Sequence, residues 1–266
     1  MNIFVLTKQV PDTSEIKIDP VKNTLIRDGV PSILNTFDAC ALEKALQIKD
    51  ANPEVKIVTI SMGPKQAEGM LKDTLAVGAD KAYLITDRKF AGSDTLATSY
   101  ILSQSIKKVE ELEGKADLIF AGKQAIDGDT AQVGPEIAED LDIPQITYAI
   151  DAKMDGQVIR VRRQLDLGDQ IVEAQLPALV TFTKTDDLRF PNMRMKMRAR
   201  KAEIPQITIA DMPEIDPTRI GLKGSPTRVR KTYTPSIVKE GLIIEGKEAD
   251  ASVDELVAAL EKVKLF

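Results

Sequence analysis

The 266-residue chain contains no histidine and no tryptophan, one cysteine, and only 4% aromatic residues. Each shortage excludes something. Without histidine there is no Ser-His or Cys-His nucleophile pair and no histidine metal site, and the side chain most suited to proton transfer near neutral pH is missing. A single cysteine, Cys40, rules out an internal disulfide framework and a thiolate metal cluster built by this chain alone. It agrees with a reducing, cytoplasmic setting. Scarce aromatics argue against a base-stacking surface. There is no excess of basic residues either: the net charge is −5, so nucleic acid is not an expected partner. The start, Met1-Asn2-Ile3-Phe4-Val5-Leu6, lacks the basic lead and apolar run of a signal peptide. No stretch approaches the roughly 20 apolar residues of a membrane span. Any chemistry here is expected to be carried by a cofactor rather than by a catalytic side chain or a metal.

What the chain does have is 43% apolar residues in a strand–helix alternation. Short apolar runs at Ile3–Leu6, Val55–Ile60, Ala82–Ile85, Leu118–Ala121 and Ile146–Ile150 read as buried strands. Helical spacing separates them at Asp38–Lys49, from Gly63-Pro64 to Gly78, from Asp94 to near Glu113, and over Asp129–Leu141. Pro64 is expected at the first helical position and Gly78 at a left-handed cap. Residues 8–35 read as irregular with room for a small hairpin. This order predicts an α/β fold with a doubly wound, mostly parallel sheet. After residue 150 the pattern changes. Val158–Arg163, Gln170–Gln175 and Ala178–Lys184 read as consecutive antiparallel strands. From Asp186 to Gly246 no long element is evident, and a last helix is expected over Val253–Leu265. The expected division is a nucleotide-binding domain over 1–185, then a recognition loop and C-terminal arm over 186–266.

In such a sheet, ligands bind beyond the carboxyl ends of the strands. Thr7–Asp12, Ser61–Lys65, Gly92–Thr95 and Gly122–Val133 meet there, with Asn35–Asp38 within reach. The richest segment is Gly122-Lys123-Gln124-Ala125-Ile126-Asp127-Gly128-Asp129-Thr130-Ala131-Gln132-Val133-Gly134-Pro135, between a strand and a helix. A helix start offers unpaired N–H groups and positive partial charge to a phosphate. Asp127 and Asp129 would repel one, so they read as helix caps or ribose acceptors; a self-capped helix without ligand is the competing reading. Gly128 is expected at positive φ. Neither GxGxxG nor GxxxxGK[ST] is present, which excludes the Rossmann NAD fingerprint and the P-loop. The basic run with Arg189, Arg194, Lys196, Arg198, Arg200 and Lys201 reads either as a solvated face or, with Phe190, Met193, Met195 and Met197, as a protein-docking segment.

Taken together, these residues resemble the beta subunit of electron transfer flavoproteins along the whole chain. The resemblance lies in Lys8-Gln9-Val10-Pro11-Asp12, Asn35…Asp38, Ser61-Met62-Gly63-Pro64, Ala76-Val77-Gly78-Ala79-Asp80, the Gly122–Pro135 motif, Val161–Lys184 with Pro177, and Leu188–Lys201. It implies a heterodimer with an alpha subunit and an adenine-nucleotide site. The residues expected there are Leu6, Lys8, Asn35, Thr36, Phe37, Asp38, Met62, Gly63, Asp94, Thr95 and every residue from Gly122 to Val133. In one branch of the family the nucleotide is a structural AMP. In the electron-bifurcating branch it is a second FAD, which takes a hydride from NADH. One electron then goes to a low-potential acceptor, ferredoxin or flavodoxin, and the other through the alpha subunit's flavin to a dehydrogenase of the acyl-CoA or hydroxy-acid type. The Asp127–Gly134 and Lys8–Asp12 stretches look more like the bifurcating branch. Phe190, Met193 and Arg194 match the partner-recognition loop, with Met193 where the family places an exposed apolar anchor. Two rival classes fit less of the chain. An ATP-splitting adenylate-forming enzyme wants an SGGxDS loop after the first strand, and a stress-type nucleotide-binding regulator leaves 151–266 without a role.

Overall fold

A computed structural model describes residues 1–12, 31–230, 241–244 and 248–262, together with the backbone of 17–18 and 25–26. Strand β1 (Asn2–Leu6) is followed by two small antiparallel pairs. In these, β2 (Gln9–Pro11) pairs with β5 (Ser32–Leu34), and β3 (Lys17–Ile18) pairs with β4 (Leu25–Ile26). Helix α1 (Thr36–Ala51) then leads to β6 (Lys56–Met62). Pro64 is not the first helical residue as expected: its ψ of 163° is extended, and a 3-10 turn at Lys65–Ala67 precedes α2 (Glu68–Val77). Next come β7 (Lys81–Ile85), α3 (Thr95–Glu113), β8 (Leu118–Gly122) and α4 (Val133–Leu141). Helix α4 begins at Val133 rather than at Asp129 as the sequence predicts. Asp129 and Ala131 are left-handed, with φ of 50° and 55°, and no α-helix passes through such residues.

The remaining strands are β9 (Gln145–Asp155), β10 (Val158–Leu165), β11 (Gly168–Gln175) and β12 (Ala178–Phe182). The expectation of consecutive antiparallel strands holds for β9–β10–β11 but not for β12. That strand lies between β8 and β9 and runs parallel to both, pairing Ala178 with Leu118 and Val180 with Ile146. All five of its residues are buried, because it is covered on both faces, as inner parallel strands are. Residues beyond Asp186, expected to lack regular structure, contain α5 (Met193–Arg200), β13 (Gln206–Ile207) and the short α6 (Gly221–Gly224). β13 extends the sheet beside β7, and Ile204, Ile207, Met212, Ile215 and Ile220 are buried. The parts of the expected 186–246 arm at 231–240 and 245–247 lie outside the described residues. Contacts divide the chain into one compact unit from Met1 to Lys231 and a second from Thr232 to Phe266. In the second, α7 (Ala249–Lys262) is described; the expected helix end at Val263–Leu265 is outside the described residues.

The sheet order is β11-β10-β9-β12-β8-β1-β6-β7-β13. Helix α1 covers one face through Ala41, Leu42, Ala45 and Leu46, packed on Ile3, Val5, Ile57 and Phe120. Helices α3 and α4 cover the other through Ile101, Ile106, Val109 and Ile137, on Phe4, Val58, Ile60 and Ile119. From β1 the chain steps outward to β6 and β7, then returns across β1 to β8. The order therefore reverses between β1 and β8, and a crevice opens beyond their carboxyl ends, where Thr7-Lys8 and Gly122-Lys123 leave the sheet.

Candidate functional site

A cleft of about 810 Å³ opens at this reversal. Its walls come from the ends of β1, β6, β7 and β8, the loop before α4, and the start of α3. The loop is shaped from below by the first turn of α1. Asn35, 1% exposed, donates its amide to the Gln124 carbonyl (2.8 Å) and accepts from the Ile126 N–H (3.1 Å). Asp38 accepts from the Lys8 N–H (2.8 Å) and the Gly122 N–H (3.0 Å), tying the ends of β1 and β8 together. Gly122 permits this approach, since a Cβ there would fall on Asp38 and Phe37. Burial pushes the Asp38 carboxyl up to about 7, against hydrogen bonds from Asn35, Lys8 and Gly122 that favour the ionised form.

Within the loop, Ala125 O accepts from the N–H groups of Gly128 (3.2 Å) and Asp129 (2.9 Å), and Gln124 donates to Asp129 Oδ1 (2.6 Å). The expected positive φ at Gly128 is not there; it falls on Asp129 and Ala131 instead. A Cβ built on Gly128 meets nothing within 4 Å, so the backbone is open toward the cleft. The expected problem of two aspartates facing a phosphate is eased in one place: Lys8 Nζ pairs with Asp127 Oδ1 at 2.7 Å. Neither aspartate caps α4. Its N-cap, Gln132, makes no side-chain cap bond, so the helix start carries N–H groups uncapped by a side chain. By contrast, α3 caps itself: Asp94 accepts from Ala97 N (3.1 Å) and also holds Thr227 through its N–H (2.9 Å) and hydroxyl (2.8 Å). Burial acts to raise the Asp94 carboxyl, but these bonds outweigh it and hold it below the ordinary range. Thr95 reaches Gln132 at 3.2 Å, linking the α3 start to the loop. The arrangement suits an anion at the α4 start with its remaining bulk along the strand ends.

Most expected residues line the cleft: Leu6, Lys8, Asn35, Asp38, Met62, Gly63, Asp94, Thr95, Gly122–Ala125, Asp127, Gly128 and Thr130–Val133. Thr36, Phe37, Ile126 and Asp129 are not among its walls. The sequence reading missed Thr86, Asp87, Arg88, Phe90 and Ala91, which with the expected Gly92 and Ser93 form the far wall. They follow β7 directly, and their place beyond its carboxyl end is the signal that marks them.

The electron transfer flavoprotein domain family matches residues 22–212. The beta subunit of the electron transfer flavoprotein of Megasphaera elsdenii is 51% identical over 271 residues, spanning 100% of both chains. The chain belongs to the electron transfer flavoprotein beta subunit family. Two relatives bear other names. CarD, a subunit of the caffeyl-CoA reductase-Etf complex of Acetobacterium woodii, is 46% identical over 98% of each chain. FixA of Azorhizobium caulinodans is 41% identical over 98% of this chain and 94% of its own. Beta subunits of this family pair with an alpha subunit. Among the described residues, no helix is long and apolar enough to cross a membrane.

The segment expected to recognise a partner lies on the surface beside α1 and α2. The sequence reading treats it as a loop; Met193 in fact opens α5, whose N-cap, Asn192, accepts from Met195 N (2.9 Å). Ala199 is buried, and Lys72 of α2 donates to the Arg200 carbonyl (3.4 Å), which seats the helix. Phe190 is 97% exposed, Met193 73%, and Arg194 is exposed. Arg189, from the same basic run, is instead drawn into ion pairs with Glu43 and Asp50.

Proposed function

We propose that this beta subunit holds FAD in the cleft between β1, β8 and the α4 start, and takes part in electron bifurcation. In this reading NADH is the donor, and the acceptors are a low-potential ferredoxin or flavodoxin and a partner dehydrogenase. The observation that carries the reading is the shape of the cleft. At about 810 Å³ it stands toward the upper end of small-molecule sites, about 300–1,000 Å³, and runs from the uncapped α4 start to the Thr86–Ser93 wall. That favours a dinucleotide over a nucleoside monophosphate such as AMP. When bound, FAD supplies the hydride-accepting and single-electron chemistry that no side chain of this chain provides. The chain's own part is to bind and orient. The N–H groups of the Thr130–Val133 stretch meet the phosphates, with the Thr130 and Gln132 side chains beside them, while those of Gly128 and Asp129 are spent on Ala125 O. Lys8 keeps Asp127 neutralised, and Leu6, Ile60, Met62 and Phe90 supply dry walls. Asn35 and Asp38 hold the loop's geometry without donating to the cofactor.

The docking segment then holds the dehydrogenase, with Met193 as its apolar anchor, while the electron reaches it through the alpha subunit's flavin. The name of the CarD complex, which joins an Etf to an acyl-CoA reductase, supports a partner of the acyl-CoA type. The test is acid extraction of the purified heterodimer followed by chromatography. Two FAD per heterodimer are expected, and NADH should bleach the flavin spectrum without oxygen. One FAD and one AMP would overturn the FAD reading and bifurcation with it.

A further inference from the structure

After β12 the chain reaches the surface beside α1, where it is fastened twice. At Asp186 the backbone carbonyl accepts from the Cys40 thiol (3.0 Å). The Asp186 carboxylate accepts from Gln47 Nε2 (3.3 Å) and lies 3.6 Å from Lys44 Nζ, which also pairs with Asp151 of β9 at 3.0 Å. Further along, Glu43 accepts from the Arg189 backbone N–H (3.0 Å) and from its guanidinium, at 2.7 Å from Nη2. The same guanidinium reaches Asp50 at 2.8 Å. Each pair has one largely buried member, Glu43 at 8% and Lys44 at 9% side-chain exposure, set against Arg189 at 31% and Asp186 at 45%. The next residue, Phe190, is 97% exposed, and Met193 follows at 73%. A half-buried, many-bonded base thus stands directly before two uncovered apolar side chains. Buried ion pairs add little net stability over apolar packing, and their best-attested use is to select one geometry.

We infer that the Asp186–Arg189 stretch is a pivot that sets the direction in which Phe190 and Met193 are presented, with Arg189 a positioning residue for partner docking. This rests on the docking role assigned to Met193 above. The pivot is seated on α1, the helix whose first turn also holds the nucleotide loop through Asn35 and Asp38. One rigid element therefore fixes both the nucleotide loop and the docking surface. The fork geometry matters, since lysine offers a charge but no paired N–H donors to Glu43.

The experiment uses the intact heterodimer carrying Arg189→Leu or Arg189→Lys, with amide hydrogen exchange and electron delivery to a purified acyl-CoA dehydrogenase as readouts. In Arg189→Leu, exchange over residues 190–200 should rise roughly tenfold. KM for the dehydrogenase should rise about tenfold, with kcat at saturation and flavin content unchanged. Arg189→Lys should fall between. On a Met193→Ala background, Arg189→Leu should add less than about twofold, because the pivot acts through that anchor. Unchanged exchange over 190–200, or full additivity in the double variant, would overturn the pivot. If Met193→Ala itself leaves KM unchanged, the docking role fails, while exchange still decides the pivot. If Arg189→Leu does not assemble, Arg189→Lys carries the same comparisons. Failure of both to assemble would mean the pairs serve folding, and the inference would be wrong.

Discussion

Two surface segments of this molecule are held by the same helix in different ways. The nucleotide loop, 122–132, is fixed by short bonds between side chains of the first α1 turn and loop backbone: Asn35 to Gln124 and Ile126, Asp38 to Gly122. The docking segment, 188–200, is fixed by ion pairs from the middle of α1: Glu43 and Asp50 to Arg189. In the first, polar side chains are consumed underneath and the α4 start is left uncapped by any side chain. In the second, charge is consumed underneath and apolar side chains are left facing solvent. The difference suits the two ligands proposed for these segments. A phosphate is recognised by backbone dipoles that must not move, a protein pocket by an apolar side chain presented at a set angle.

The sharpest way to break this comparison is to remove the loop's base. Asp38→Ala leaves the buried N–H groups of Lys8 and Gly122 without an acceptor, at about 1–3 kcal/mol each. A loss of about 3–5 kcal/mol in urea unfolding and of most bound nucleotide is expected, with the docking segment's exchange unchanged. If both segments loosen together, they are not separately anchored.

The same carboxylate gives a pH effect of nearly that size. Its folded-state value, about 7, lies above the ordinary 3.8, so the folded chain binds this proton more tightly than the unfolded one. Asp38 therefore contributes stability that is fully present below about pH 4 and is lost as pH rises through about 7. The upper bound is about 4 kcal/mol at 1.4 kcal/mol per unit. Unfolding midpoints of the nucleotide-free protein between about pH 4 and 8 should show this fall, and Asp38→Asn should flatten it. An equal slope in Asp38→Asn would assign the effect to another group.

At the docking segment a smaller effect is expected. Met193→Ala should cost about 1–3 kcal/mol of dehydrogenase affinity, roughly 5- to 150-fold, with flavin content intact. Loss of the alpha subunit or of flavin would instead place Met193 in the subunit interface.

Smallest of all is the stability change in Gly128→Val. The sequence motif predicts strain there, but Gly128 has no positive φ and a Cβ meets nothing within 4 Å. Unfolding should shift by less than about 0.5 kcal/mol, whereas nucleotide binding should fall because the side chain stands where the backbone is open. A large unfolding shift would show that the loop packs more tightly than its geometry indicates.

The parallel half of the sheet is readable from sequence because Ile3–Leu6 and Leu118–Ala121 are unbroken apolar runs, and Val55–Ile60 is a largely apolar one, between helical spacings. The direction of β12 is not, for a related reason. A short, largely apolar strand such as Ala178–Phe182 carries no local mark of its direction, and only the gap between β8 and β9 makes it parallel. The cleft's position is legible from the strand ends, and Gly122–Val133 from its place between strand and helix. The left-handed residues within it are not. Asp129 and Ala131 hold that conformation in a loop tied down by Asn35, which is far from Ile126 in sequence but bonded to it in space. Likewise nothing local sets Arg189 apart from the other basic residues of its run; Glu43 and Asp50, on another element, do.

The sequence by itself determined the fold class, the segments that gather at the sheet edge and, through the resemblance carried by motifs such as Gly122–Pro135, the family. Periodicity and composition are local quantities that mark the elements, and the family rests on the resemblance of local motifs. The tertiary structure decided which polar groups are spent on the protein and which remain for a ligand. A carboxylate at position 38 or a guanidinium at 189 has the same chemistry anywhere in the chain. Burial, and the partners that burial brings within hydrogen-bond distance, make the first a brace beneath the nucleotide loop and the second a brace beneath the docking surface.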